Sequence, residues 1–312
     1  MILQFPFVVD STLLNAWRNC PTQAMYQGFR RIKRVGISID LLAGGAFARG
    51  LEVTRRAFYE QGLMTDHAIS LGVAALWQAY GNPVFTKDTP KTWDRMAGAL
   101  VAYFDEYPLG QDSIKPACYN GKWAIEFSFA IPLDIWGFYH PVSGDPLILA
   151  GRTDMIGSFR SSDFVVDEKT TTQLGEAWSH KWNMRAQFMC YMWAARLMGF
   201  NIAGTIVRGV AIRKTGYDFA EALLSRNDML LDRWEWQTKR TIGAMYKAWY
   251  HHQTVRALNG TCEGFDFNLG EACESYGGCP YKQLCLTADP EPHIAIDYEE
   301  NTWNPLVKLE VA

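Results

Sequence analysis

Apolar residues recur every three to four positions through most of the first third of the chain. Between Asp40 and about Gly62 they fall at Leu41, Leu42, Phe47, Leu51, Ala57 and Phe58, the spacing that turns one helix face to a core. Ile69 to Tyr80 and Thr92 to Tyr107 carry the same period, and Ser11 stands where the N-cap of a first helix belongs, running through Leu14 and Trp17 to Cys20-Pro21. The period then changes. In Trp123-Ala-Ile-Glu-Phe-Ser-Phe-Ala-Ile131 every second residue is apolar, which predicts a strand with Glu126 on the face opposite Trp123, Ile125 and Phe127. Leu147 to Ile156 and Phe164 to Thr170 read as two further strands, joined through the polar stretch Ser158 to Asp163. A helix from about Gly175 to Leu197 follows, stopped by Gly199, then a strand from about Gly204 to Ile212. A Trp-rich helix from about Asp218 to His251 leads to a cysteine-rich region.

Strands gathered in the middle and wrapped in helices predict an α/β (α+β) fold with a mixed central sheet flanked by helices. The chain of 312 residues reads as a single domain, with residues 1–110 mainly helical, 120–215 supplying the sheet and its helix, and 255–290 holding the cysteines. Hydrophobic residues make up 48% and charged residues 20%, which excludes a disordered chain. The net charge of −3 excludes a global attraction to polyanions, so nucleic acid would be met by local groups such as Arg30-Arg31-Ile-Lys33-Arg34, Arg55-Arg56 and Lys239-Arg240. The usual alternative for such runs is a solvated helix face. The apolar start, Met1 to Asp10, is short and lacks a basic flank, and no apolar run is long enough to span a bilayer. The reading is a cytoplasmic protein without membrane contact, whose seven cysteines are not disulfides.

The strand pair carries the chemistry. With the turn centred between Arg160 and Ser161, Asp154 lies across from Asp167, at a Cβ separation of about 4.5–5.5 Å for directly opposed residues. Lys169, two residues beyond Asp167, shares its face. Two close carboxylates repel unless a cation lies between them, and such oxygen ligands suit Mg²⁺ or Mn²⁺. A structural salt bridge is the plainer account of Lys169. Downstream, Gln187 and Tyr191 are four apart on one helix face. Trp178 and Trp182, also four apart, can stack unpaired bases or lie in the core.

Three motifs, Gly151-Arg-Thr-Asp154-Met-Ile, Val166-Asp167-Glu168-Lys169-Thr170 and Gln187-Phe-Met-Cys-Tyr191, preceded by Ser11-Thr-Leu-Leu-Asn-Ala-Trp-Arg-Asn-Cys20-Pro21, resemble in order and spacing the RecB-like branch of the PD-(D/E)XK nucleases. The resemblance runs from near residue 11 to residue 285 and implies a restriction-endonuclease-like core. It implies that Asp154, Asp167 and the backbone carbonyl of Glu168 bind the metal, that Lys169 positions the attacking water, and that Gln187 and Tyr191 orient DNA or the lysine. Many relatives carry a metal-binding His in a Gly-x-x-x-His-x-x-x-Glu pattern. Here Gly44-Gly-Ala-Phe-Ala48-Arg-Gly-Leu-Glu52 places Ala48 at the His position and leaves Glu52 as a further acidic ligand or a solvated helix residue. Glu126 is a second candidate at the metal's periphery or a buried structural carboxylate.

Cys273, Cys279 and Cys285 form a tight cluster that can hold zinc or iron–sulfur, with Cys262 or Cys20 as fourth ligand. The resemblance favours Cys20: AddB-type subunits and CRISPR-associated exonucleases hold a [4Fe–4S] cluster with one N-terminal and three C-terminal cysteines. Their usual Cys-x2-Cys-x5-Cys run appears here with its first interval lengthened, so Zn²⁺ and Cys262 stay open. Cys118 and Cys190 read as buried thiols. The function implied is a metal-dependent DNA nuclease, an exonuclease of recombination, repair or phage replication, working with a helicase or recombination protein. The alternatives are a non-catalytic DNA-end-binding or scaffold subunit and a zinc-stapled RNA-processing protein.

Overall fold

Asp10, rather than Ser11, caps the first helix: its Oδ1 accepts the Leu13 N–H at 2.7 Å. In chain order the main elements are β1 (Val8–Val9), α1 (Ser11–Asn19), α2 (Ile39–Tyr59), α3 (Thr65–Tyr80), α4 (Trp93–Glu106), β2 (Ile125–Pro132), β3 (Ile148–Phe159), β4 (Ser162–Thr171), α5 (Ala186–Leu197), β5 (Ile202–Ile212), β6 (Tyr217–Ser225) and α6 (Asp228–Asn259). The structure is a computed structural model that describes residues 3–36, 38–83, 89–259, 264–268, 270–274 and 278–302, with 256–259 as backbone only. Contacts divide the chain into two compact units, one of residues 37–127 and 152–227, the other of residues 1–36, 128–151 and 228–312.

The first unit holds the hairpin. β3 pairs antiparallel with β4, β4 parallel with β5, and β5 antiparallel with β6, so the sheet is mixed. Helices α2, α3 and α4 pack through Phe47, Leu51, Leu76, Met96, Leu100 and Tyr103 onto Val210 and Ile212 of β5. α2 and α3 approach closely where Gly50 meets Gly72: a Cβ on Gly72 would stand 1.8 Å from Thr54 Oγ1 and 2.7 Å from the Gly50 carbonyl oxygen. Glycine is required at that crossing because backbone lies where a side chain would go.

Three elements depart from the periodicity. The stretch read as one helix from Gly175 to Leu197 is two, Glu176–His180 and α5. The break follows from the buried Trp182, whose carbonyl accepts from Arg226 Nη2 at 3.0 Å and from Arg185 N–H at 3.2 Å instead of continuing the helix. Residues 217–225, read largely as helix, form β6, paired residue for residue with β5. Tertiary pairing against an apolar strand overrides the local preference there. Glu126 does not alternate with Ile125. Its φ of +50° is a left-handed kink near the start of β2, and its side chain is buried along with that of Ile125. Cys118, read as buried, is exposed, whereas Cys190 is buried.

In the second unit β1 runs parallel to the first residues of β3, Val8 beside Ile148. α1 and α6 are tied by Arg18 Nη2 donating to Thr238 Oγ1 at 3.1 Å, and Phe5 stacks on Tyr246 with ring centroids 4.4 Å apart. A smaller cluster of Tyr26, Ile32, Tyr281, Leu284 and Tyr298 underlies the cysteines. Among the described residues no helix is long and apolar enough to cross a membrane.

Candidate active site

β3 and β4 are paired from Phe159 and Ser162 as far as Met155 and Val166. One step further the same register sets Asp154 opposite Asp167, and there side chains take over from the ladder. Thr153 Oγ1 donates to the Val166 carbonyl at 3.0 Å, and the Glu168 N–H donates to Asp154 Oδ2 at 2.7 Å. β4 meanwhile stays paired with β5, Asp167 beside Val207, Glu168 beside Arg208 and Lys169 beside Gly209. Paired positions point to one face, so Asp167 and Lys169 share a face and Glu168 shares the other with Arg208.

Burial and the neighbouring Asp167 charge push the Asp154 carboxyl well above its ordinary range, and the charges of Glu168 and Glu126 add to the rise while Lys169 opposes it. Burial also raises Asp167, against the pull of Lys169, whose Nζ lies in an ion pair with Asp167 Oδ2. The Lys169 ammonium is held above its usual range: burial alone would lower it, but Asp167 and Asp154 outweigh that. Gln187 and Tyr191 meet on α5, Nε2 donating to the phenol oxygen at 2.9 Å. Tyr191 is raised by burial, with Asp167 and Asp154 adding to the effect, which puts the phenol within reach of both charges.

On the other face Glu168 is clamped. Arg55 Nη2 pairs with Glu168 Oε1, Tyr103 OH donates to the same oxygen at 3.0 Å, and Arg55 donates to Tyr103 OH at 3.0 Å. Burial alone would raise Glu168, but Arg55 holds it below its ordinary range. Arg208, fully buried, binds Asp112 in two-pronged fashion at 2.6 and 2.9 Å and Glu221 at 2.7 Å. Arg55 is therefore an internal anchor and not the phosphate contact its surface-like sequence suggested. This network escaped the sequence reading. Its one signal was an arginine inside the apolar run Ile206-Val207-Arg208-Gly209-Val210, since a charge in a buried strand requires partners.

Glu126 lies 2.7 Å from Arg152 and is among the charges that raise Asp154. Glu52 is buried and paired with Arg49 at 2.7 Å and with Arg56 at 3.4 Å. Arg56 in turn donates to the Ile125 carbonyl at 2.8 Å, beside Glu126. Among the described residues no three His, Cys, Asp or Glu side chains already enclose an ion. The donor chemistry nonetheless fits a hard divalent cation: two buried carboxylates repel each other, and Asp167 Oδ2 accepts no directed hydrogen bond.

In the second unit Asn268 Nδ2 donates to the Asn19 carbonyl at 2.6 Å, and the Thr22 N–H donates to the Asp266 carbonyl at 3.2 Å. These bonds bring the residues flanking Cys20 to the C-terminal loop. Burial raises the Cys285 thiol to about 11, and the thiols of Cys279, Cys20 and Cys273 raise it further by mutual repulsion. Cys279 is raised by burial and by Cys20 and Cys273 in the same way. The four sulfurs thus lie within electrostatic reach of one another. Cys262 falls outside the described residues.

The fold is similar to that of a presumed exonuclease from Eubacterium rectale, with a TM-score of 0.44 and 12% identity over 89% of this chain and 92% of that one. SSO0001 gives a TM-score of 0.26 and 14% identity over 73% of this chain and 98% of that one. Both scores are too low to bear on function. No curated protein matches. A family model described as the PD-(D/E)XK nuclease superfamily matches residues 12–286, a span that holds the opposed carboxylates, Lys169, the Gln187–Tyr191 pair and the cysteines from Cys20 to Cys285. Matched over that much of its length, the chain belongs to the PD-(D/E)XK nuclease superfamily.

Proposed function

We propose that the chain is a RecB-like, divalent-metal-dependent DNA nuclease, acting as an exonuclease in recombination, repair or phage replication. The observation that carries this reading is the pair Asp154 and Asp167, buried opposite each other with their ionisation suppressed, beside the ammonium of Lys169. Mg²⁺ or Mn²⁺ would be held by both carboxylates and the Glu168 carbonyl, with Glu126 and Glu52 as outlying acids. When bound, such a cation acidifies water and draws charge from the phosphate. Lys169 orients the attacking water and stabilises charge on the phosphoryl oxygens. Gln187 fixes the Tyr191 phenol beside Asp167, where it orders either the strand or the lysine.

Pure protein incubated with end-labelled single- and double-stranded DNA, and with RNA, in Mn²⁺ or in EDTA tests this. Cleavage of DNA in Mn²⁺ alone, lost in Asp167→Ala, is the expected result. Cleavage that persists in EDTA or in Asp167→Ala overturns it, and cleavage of RNA alone replaces the substrate.

We propose in addition that Cys20, Cys273, Cys279 and Cys285 hold one [4Fe–4S] cluster that staples the N-terminal helix to the C-terminal loop. The mutual repulsion of the four thiols supports a shared cation among them. Metal analysis of anaerobically purified protein decides between iron–sulfur and zinc. About one zinc without iron spares the staple and rejects the cluster.

A further inference from the structure

Trp178 and Trp182 both lie in the interior, 5% and 6% exposed, with ring centroids 5.7 Å apart. Their faces are therefore closed to stacked bases. They carry cations instead. Lys181 Nζ sits 4.5 Å from the centre of the Trp182 ring and 6.0 Å from that of Trp178, and the Arg185 guanidinium carbon is 5.5 Å from the Trp182 ring. Buried Arg226 holds the Trp182 carbonyl at 3.0 Å. Three positive side chains thus converge on one indole. Among the described residues neither Lys181 nor Arg185 has an acidic partner; nearby Glu176 faces His180 at 3.9 Å. Burial and the Arg185 charge hold the Lys181 ammonium below its usual range, as befits a like-charged pair without a counter-ion.

The position of this pair is set by the sheet. A Cβ on Gly209 would lie 2.5 Å from Trp178 Cζ2, so the Trp178 ring rests where a side chain at 209 would project. Gly209 is paired with Lys169, and the two project to the same face. Neighbouring strands are about 4.8 Å apart, so the tryptophan floor adjoins Lys169 on the face that bears Asp167. Along α5, Arg185 precedes Tyr191 by six residues, roughly 9 Å at 1.5 Å per residue. That is two to three nucleotide steps of a duplex strand, at about 3.4 Å each.

We propose that Lys181 and Arg185, held on the Trp182 ring, form a binding site for a backbone phosphate of the nucleic-acid strand, two to three nucleotides from the bond that is cut. The tryptophan face fixes both cations before the strand arrives, so little side-chain freedom is lost on binding. The proposal rests on the nuclease reading for its ligand, and binding without metal tests it separately from cleavage.

Affinity for a fluorescein-labelled oligonucleotide, single-stranded and duplex, is measured in EDTA across a salt series for the wild type and for Lys181→Gln/Arg185→Gln. The slope of log affinity against log salt should fall by about 1.8, or about 0.9 for each lost phosphate contact. In Mn²⁺ the KM for DNA should rise about tenfold or more with kcat nearly unchanged. Lys181→Arg/Arg185→Lys should keep the wild-type slope, and an unchanged thermal midpoint in the Gln variant shows that its fold is intact. An unchanged salt slope in a variant that still cleaves DNA rejects the phosphate site and spares the nuclease. A reduced slope in a protein that never cleaves spares the site and rejects the nuclease. A chain that neither binds nor cleaves any nucleic acid overturns both.

Discussion

Asp154 Oδ2 accepts the backbone N–H of Glu168 at 2.7 Å, at the point where the β3–β4 ladder ends and the two strands part. The peptide that steadies Asp154 thus belongs to the residue whose side chain Arg55 clamps on the opposite face of the sheet. Carboxylate placement on one side is tied to an ion pair on the other.

Asp154→Asn keeps an oxygen for the Glu168 N–H and removes the repulsion with Asp167. Cleavage should be lost, while the metal-free protein gains thermal stability. An assay in Mn²⁺ and a melting curve in EDTA check both halves. A variant that melts lower than the wild type in EDTA contradicts the repulsion argument.

Lys169→Met leaves both carboxylates but removes the cation that stabilises charge on the phosphate. A loss in kcat of about 10²-fold or more is expected. Metal binding, followed by calorimetry, should survive. Loss of binding as well would make the lysine a structural partner of Asp167.

Arg55→Met strands Glu168 in the interior without its cation. Removing one partner of a buried pair destabilises by about 3–5 kcal/mol. Chemical denaturation measures it, and adding Glu168→Gln to the same protein should recover much of the loss. A change well under 1 kcal/mol would show that Glu168 is reached by water.

The pH dependence has a definite sign. Asp154 and Asp167 titrate above their ordinary range in the folded chain. Between the unfolded and folded values the native state binds more protons, so metal-free stability falls as pH rises through that window. Glu168 runs the other way: its contribution is present above the ordinary carboxylate range and is lost as pH falls through its depressed value. Melting temperature against pH in EDTA, compared between wild type and Asp154→Asn/Asp167→Asn, isolates the first effect. The decline toward neutral pH should vanish in the variant and be offset in the wild type by Mn²⁺.

Cys20→Ser should lower stability and bound metal together, because a staple across so long a loop restricts the unfolded chain strongly. Cys262→Ser should change neither. The opposite pattern, read by metal analysis and melting, would make the cysteine region a local knuckle.

Much of the site was legible in the residue order. Period-two alternation and a two-residue turn place Asp154 across from Asp167 and Lys169 beside it, because hairpin register depends on local spacing alone. The same holds for Gln187 and Tyr191, one helical turn apart. What residue order could not settle was everything that depends on a distant partner. β6 is a strand because β5 offers it a ladder, and the helix after residue 175 breaks because Trp182 is buried and Arg226 takes its carbonyl. Arg55 and Arg56 look alike in sequence, yet one is sealed under Glu168 while the other reaches the start of β2. Local spacing sets which side chains share a face. Which of those faces is closed, and which charges are left without a partner there, is decided by elements a hundred residues away packing against it.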